Sequence, residues 1–432
     1  MICNNVTVSN DGVLEFAGMN TVSLAQKYGT PLYLFDENRV RQNCRTYYNA
    51  MNKYFDGNAR AVYASKAASF KRIYSIVAQE GMYADAVSVG EIYTAKKAGF
   101  PMEKMYFHSN NKTDYDIEFA IDNFIGYFVV DNEEELFAIQ KIAEKKNIVQ
   151  PILIRVTPGI DPHTLAAIAT GKVDSKFGFG IETGAAEDIT AKALKLKNVA
   201  LKGFHCHVGS QVFDSQVFYD SSKIMFEFMA MINKKYSYLA EQLNLGGGYG
   251  VRYVETDPEI DIDANIKSVA EIMKRQAVQN GLPMPMVIME PGRSIVADAG
   301  MTLYSVGMVK KIKGYKNYVS VDGGMTDNPR FALYGSDYTV LLANKMNEKT
   351  DFNCSVVGRC CESGDIIQEN VNLPSSVQRG DIIAVLTTGA YNYSMASNYN
   401  RIPRPPVVML NDGKDYVAVK RETIDDLISN DL

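Results

Sequence analysis

The stretch GYFVVDNEEELFAIQKIAEKKNIVQPILIRVT, residues Gly126 to Thr157, reads as strand, helix, strand. Gly126 to Val130 and Pro151 to Thr157 are short runs rich in β-branched and aromatic residues. Between them, from Asn132 to Lys145, Leu136, Ile139, Ile142 and Ala143 share one helical face. The same alternation recurs on either side of this unit. Strand-like runs at Arg60 to Ser65, Tyr83 to Ser88, Lys104 to His108, Lys202 to His207, Glu241 to Leu245 and Met286 to Glu290 bring the total to eight. Strand-helix alternation implies a parallel sheet, and eight units predict closure into an α/β barrel of the (β/α)8, TIM type.

After about residue 299 the texture changes. Thr302 to Lys310, Asn317 to Val321, Asp351 to Val357, Asp381 to Thr387 and Pro406 to Leu410 are short, alternating or β-branched, and separated by Gly, Asn and Pro turns. They predict a second, mostly antiparallel β domain. Asn4 to Ser9 and Val13 to Phe16 read as strands that precede the barrel and join that domain. The expected division is therefore a barrel over 30–298 and a β domain made of 1–29 with 299–432.

Composition narrows the partners. Of the 432 residues, 46% are hydrophobic and 22% charged, an ordinary globular balance, and the formal net charge is −5. Without a long basic run, neither nucleic acid nor an anionic membrane is expected as the main partner, and a small molecule is. The first ten residues are polar and resemble no signal or transit peptide, and no run approaches a membrane span. Six cysteines without regular spacing predict free thiols in a reducing cytoplasm.

In such a barrel the chemistry belongs at the C-terminal ends of the strands. The first strand delivers Lys66, in Tyr63-Ala64-Ser65-Lys66-Ala67, and the second is followed by Asp85 and Glu91. A lysine there can act as a Schiff-base nucleophile if burial at the barrel mouth makes its charged form costly. The sixth strand delivers His205 and His207, the seventh Gly246-Gly247-Gly248, and the eighth Glu290-Pro291-Gly292-Arg293. Clustered glycines allow backbone N–H groups to approach an anion such as phosphate, although a tight turn is their plainer meaning. The loop lacks the Lys and Ser/Thr of a Walker motif. A histidine can lie against an aromatic cofactor while Ser210 donates to its phosphate. A buried carboxylate such as Glu290 can keep a pyridine nitrogen protonated, which makes the ring an electron sink. Each has a plainer alternative: a surface lysine, a hydrogen-bonded core histidine at His205, a structural Glu–Arg pair. His205 and His207, two apart in a strand, could also share a metal ion. Only His108 and His163 remain as further histidines, so no metal is expected.

With Lys66, His207, the glycine turn and Glu290 to Arg293 in that order, the sequence closely resembles the fold-type III pyridoxal-phosphate-dependent decarboxylases. The resemblance runs from Thr30-Pro31-Leu32-Tyr33 to Arg401-Ile402-Pro403-Arg404. It implies the barrel, a C-terminal β domain of Greek-key barrel type, pyridoxal 5′-phosphate as cofactor, and a homodimer whose active sites lie between subunits. Carried over, Lys66 would bind the cofactor covalently, His207 would stack on its ring and Glu290 would pair with its ring nitrogen. Ser210, Gly247, Gly248 and Tyr391 would hold the phosphate, and Arg293 would serve phosphate, substrate or both. Arg330 and Tyr334 match residues that bind a substrate's distal carboxylate, and Tyr391 also reaches substrate. Glu362 and Cys361, inserted by the neighbouring subunit, would bind the distal ammonium and donate a proton to Cα. Ala68 and Phe331 stand where the family often has asparagine and proline, and Ala166 to Gly171 follows its active-site loop loosely.

The distal set points to a substrate. Ornithine and lysine end in a bare ammonium, whereas meso-diaminopimelate carries an ammonium and a carboxylate, for which Arg330 with Tyr334 supplies a partner. The expected activity is decarboxylation of meso-diaminopimelate to L-lysine and CO2. The rivals are decarboxylation of a related substrate (carboxynorspermidine, ornithine or lysine), an amino-acid racemase, and a non-catalytic regulatory homologue. A racemase typically meets the ring nitrogen with arginine rather than glutamate. A regulatory homologue usually loses the lysine or the inserted cysteine.

Overall fold

The computed structural model describes residues 2–159 and 175–432, so His163 and the Ala166 to Gly171 stretch lie outside the described residues. The chain divides into two compact units, one of 43–250 with 260–292 and one of 1–42 with 251–259 and 293–432.

The first unit is the barrel. Its strands are Ala59–Tyr63, Tyr83–Ala86, Met105–Phe107, Tyr127–Val130, Gln150–Thr157, Val199–His205, Gln242–Asn244 and Met286–Met289. Each pairs in parallel with the next, and the eighth pairs with the first, so the sheet closes. Among the described residues seven α-helices fall between consecutive strands, from Lys71–Gln79 to Ile262–Gln279. Their starts are written in the sequence. Ser88 caps Val89–Lys97 and Asn132 caps Glu133–Lys145, each accepting the third backbone N–H, and Glu133 to Glu135 place negative charge on the positive end of that helix. Thr113 and Asp116 form a reciprocal capping box for Asp114–Asp122.

Inward-facing Val62, Tyr106, Val129, Leu153 and Ile288 fill the barrel. Nearer the strand starts, the Arg60 guanidinium donates to the Tyr106 and Tyr127 hydroxyls at 3.0 and 3.1 Å and lies 4.7 Å from the Tyr83 ring centre. The interior is thus a packed floor, which leaves the C-terminal rim for function.

In the second unit the long strand Gly300–Lys311 pairs with Asn317–Val321, Ile382–Leu386 and Leu32–Asp36. Phe352–Val357 joins Asn317–Val321 in parallel, Ile366–Leu373 pairs antiparallel with Phe352–Val357, and Val407–Asn411 lies parallel to Leu32–Asp36. Most ladders here are antiparallel, as the sequence predicts. Leu32–Asp36 differs from the expectation: it falls in the range assigned to the barrel but is a fully buried strand of the β unit. Nothing in LYLFD, apolar but for Asp36 at its end, distinguishes the two destinations.

A buried acid sits in this unit. Asp327 accepts from Tyr304 Oη, from Gly324 N at 3.0 Å and from Thr326 Oγ1 at 3.2 Å. Burial pushes its carboxyl up to about 7, against these donors, from an ordinary 3.8. A raised folded-state pKa stabilises fully below the unfolded value, and that contribution is lost as pH rises through the folded one. Stability should therefore fall by about 4 kcal/mol from this group between pH ~4 and ~7. Asp327→Asn should flatten chemical denaturation midpoints across that window; an unchanged slope would rule the effect out.

Candidate active site

Lys66 lies on the short turn Ser65–Ala67 just beyond the first strand. Two contacts fix that turn. Ser65 N donates to Asp85 Oδ1 at 2.7 Å, and Ala64 N donates to the Pro291 carbonyl at 2.9 Å, tying the first strand's end to the eighth's. Gly292 allows this approach, since a Cβ there would lie 2.7 Å from that of Ala64. Contrary to the burial expected from sequence, the Lys66 side chain is exposed. The turn after Tyr63 carries it clear of the packed interior.

Glu290 follows the eighth strand and is 7% exposed. Its Oε1 accepts from Asn244 Nδ2 at 2.7 Å and His108 Nε2 at 2.8 Å, and its Oε2 from His205 Nε2 at 3.2 Å. Burial alone would raise its pKa, but the two imidazoles outweigh burial and hold the carboxyl well below the usual range. Burial lowers His108 as well and takes His205 down to about 4. The consistent state at neutral pH is an ionised Glu290 receiving N–H bonds from two neutral rings. Asp85 goes the other way: burial, then the Glu290 charge, push it well above its ordinary value.

The sixth strand ends at His205, and His207 lies two residues past it. The pair therefore does not share one strand face as the metal reading requires; His205 is the hydrogen-bonded core histidine of the plainer reading. Burial, then the Lys66 ammonium, hold His207 well below its usual pKa, so its ring is neutral. The glycine turn packs against this end of the barrel. A Cβ on Gly247 would lie 2.0 Å from the Glu290 carbonyl, and one on Gly248, at φ +127°, 2.5 Å from the Gly209 carbonyl. Ser210, half-buried, follows Gly209 directly. Lys66, His207, Gly247, Gly248, Ser210 and Glu290 thus all belong to the C-terminal rim of the barrel unit.

The β unit assembles the other predicted residues. Arg293 Nη1 donates to Tyr253 Oη at 2.7 Å, and its guanidinium lies 4.8 Å from the Tyr391 ring centre. The Arg330 guanidinium is 5.2 Å from the same ring and 5.4 Å from that of Tyr334. Two cations thus flank one phenol, whose backbone takes the left-handed region at φ 72°. Arg330 is 7% exposed, and among the described residues its Nε meets no acceptor and its one hydrogen bond, to Ser336 Oγ, is 3.4 Å. No carboxylate pairs with it among the described residues. Cys361 and Glu362 are exposed, so Cys361 is not the buried inert thiol that an isolated cysteine suggests. Their loop is held from beneath by buried Asp365, which accepts from Cys360 N at 2.7 Å and Met325 N at 2.6 Å.

The sequence reading gave no role to His108, Asn244 or Tyr253. His108, at the end of a predicted strand, and Asn244, one residue before the end of another, were visible as polar residues near strand ends, the signal used for Lys66. Tyr253 had none, because its partner Arg293 is distant in sequence.

A closed barrel whose rim carries a lysine, an ionised carboxylate and a close-packed glycine turn fits a class, the barrel enzymes of pyridoxal phosphate. Residues 38–297 match the family described as pyridoxal-dependent decarboxylase, pyridoxal binding domain. The chain is 45% identical to a diaminopimelate decarboxylase of Bacillus methanolicus, over 96% of each, and 43% identical to that of Staphylococcus aureus, over 99% of each. It superposes on the diaminopimelate decarboxylase of M. jannaschii in co-complex with L-lysine with a TM-score of 0.90 and 32% identity, covering 100% of this chain and 98% of that one. The chain belongs to the pyridoxal-dependent decarboxylases, on the branch of the diaminopimelate decarboxylases.

The residues fit the cofactor. A buried, ionised carboxylate suits a protonated ring nitrogen, and an accessible amine suits covalent attachment; the glycines are required by close packing on the Glu290 and Gly209 carbonyls.

Proposed function

We propose that the protein decarboxylates meso-diaminopimelate to L-lysine and CO2. The observation that carries this reading is Arg330, a buried guanidinium without an ionic partner among the described residues. An unpaired buried cation is costly, and a substrate carboxylate would supply its partner bidentately. Ornithine and lysine carry no carboxylate at that distal end.

When bound, pyridoxal phosphate supplies the electron sink that lets CO2 leave the substrate's Cα. Lys66 Nζ would anchor the cofactor and yield it to the substrate amine. Glu290 would hold a proton at the ring nitrogen, His207 would lie against the ring, and Ser210, Gly247, Gly248 and Tyr391 would hold the phosphate. Arg293 would serve phosphate or substrate, and Arg330 with Tyr334 the distal carboxylate. Cys361 and Glu362, exposed in the single chain, would complete the site of a second copy, Glu362 at the distal ammonium and Cys361 as proton donor to Cα. A homodimer in the cytoplasm is the working form on this reading; a monomer by sedimentation at assay concentration would exclude the sharing. No helix among the described residues is long and apolar enough to cross a membrane.

The test is L-lysine formation by the cofactor-loaded protein from meso-diaminopimelate, with ornithine, lysine and carboxynorspermidine in parallel. Turnover of the first alone is expected. Preference for another substrate would overturn the reading of Arg330, and cofactor binding without any turnover would favour the regulatory homologue.

A further inference from the structure

Glu290 is held without being neutralised. Carboxylates in protein interiors commonly meet arginine or lysine, which cancels their charge. Here the three donors, His108 Nε2, His205 Nε2 and Asn244 Nδ2, end the third, sixth and seventh barrel strands and are all buried. An ionised carboxylate is acceptor-only, so each imidazole must present its Nε2–H. Nδ1 of His205 is then unprotonated, and it is buried with no hydrogen-bond partner among the described residues. The two rings pack edge to face with centres 4.9 Å apart, which fixes each ring's tilt through the other. Arg155, 3.9 Å from Asp131, adds positive potential that disfavours protonation of either ring. The cluster of Glu290, His108, His205 and Asn244 therefore carries one net negative charge on an oriented carboxylate.

We infer that His108 and His205 are positioning residues: as neutral donors from two strands they orient the Glu290 carboxylate and keep it ionised, leaving its full charge for the cofactor's ring nitrogen. The inference rests on the proposed pairing of Glu290 with that nitrogen. An arginine in their place would satisfy the same oxygens but compete for the charge. A metal ion shared by the three side chains is the competing use of the cluster, their ligand atoms all lying within 4.8 Å of one another. The direct N–H to oxygen contacts and the Asn244 amide on the same carboxylate favour the hydrogen-bonded state.

The experiment loads the full-length protein with 15N-labelled pyridoxal phosphate and reads the ring nitrogen by NMR. Wild type should show a pyridinium resonance. The His108→Phe/His205→Phe pair should move it to the free-pyridine position and lower kcat about 10²-fold with KM little changed, as expected for two lost hydrogen bonds to a charged group. His108→Gln/His205→Gln, which restores N–H donors, should return the resonance to the pyridinium position and keeps the test informative if the Phe pair fails to fold. Glu290→Gln separates the two readings: if its ring nitrogen remains protonated, the pairing with Glu290 is wrong. If Glu290→Gln loses the ring proton while the Phe pair keeps it, only the positioning role is overturned. Stoichiometric metal in the purified protein would also overturn it.

Discussion

Lys66→Ala should lose decarboxylation by on the order of 10⁴-fold or more, the scale seen when a covalent catalytic group is removed. The loss should be specific, because Lys66 contributes little to the fold. Its side chain is exposed, and the turn it sits on is fixed by backbone bonds at Ser65 and Ala64 that an alanine preserves. Thermal stability without cofactor should therefore stay within about 0.5 kcal/mol of wild type. The second readout is chemical. Borohydride should fix pyridoxal phosphate to a peptide containing Lys66 in wild type and to no peptide in the variant. Appreciable turnover by Lys66→Ala would end the assignment of Lys66 as the anchor.

Arg330→Met should lower kcat/KM for meso-diaminopimelate by about 10²- to 10³-fold, the penalty for removing one member of a desolvated ion pair. Any residual turnover of lysine or ornithine should not fall in parallel, since neither has a distal carboxylate for Arg330 to bind. Selectivity therefore collapses from one side. Arg330→Lys should rescue poorly: an ammonium makes one contact where the guanidinium fork makes two, and it stacks less well on Tyr334 and Tyr391, now 5.4 and 5.2 Å from the guanidinium carbon. An equal loss for every substrate would show that Arg330 supports the ring of Tyr391 rather than reading the far end of the substrate.

Much of this was legible in the chain. Runs such as Tyr127–Val130 and Gln150–Thr157, with Leu136, Ile139 and Ala143 between them on one buried helical face, state their period locally, and all eight predicted barrel strands form. Lys66 and Glu290 could be placed because each ends such a strand. Leu32–Asp36 could not be assigned, since a strand buried on every side reads the same in either kind of sheet. The exposure of Lys66 was missed because a turn of three residues decides it. The pairing of Glu290 with its donors was missed for a different reason: His108, His205 and Asn244 are up to 182 residues from it, and only barrel closure makes them neighbours.

The packed floor around Arg60 has a consequence for traffic. With the guanidinium bridging Tyr106 and Tyr127 and lying beside Tyr83, the strand-start end of the barrel is shut. Among the described residues, the end left for entry and exit is the C-terminal rim. For a reaction that turns one molecule into two, the gas and the amino acid must both depart by the route the substrate took in. Anything that crowds the rim would then slow arrival and departure alike.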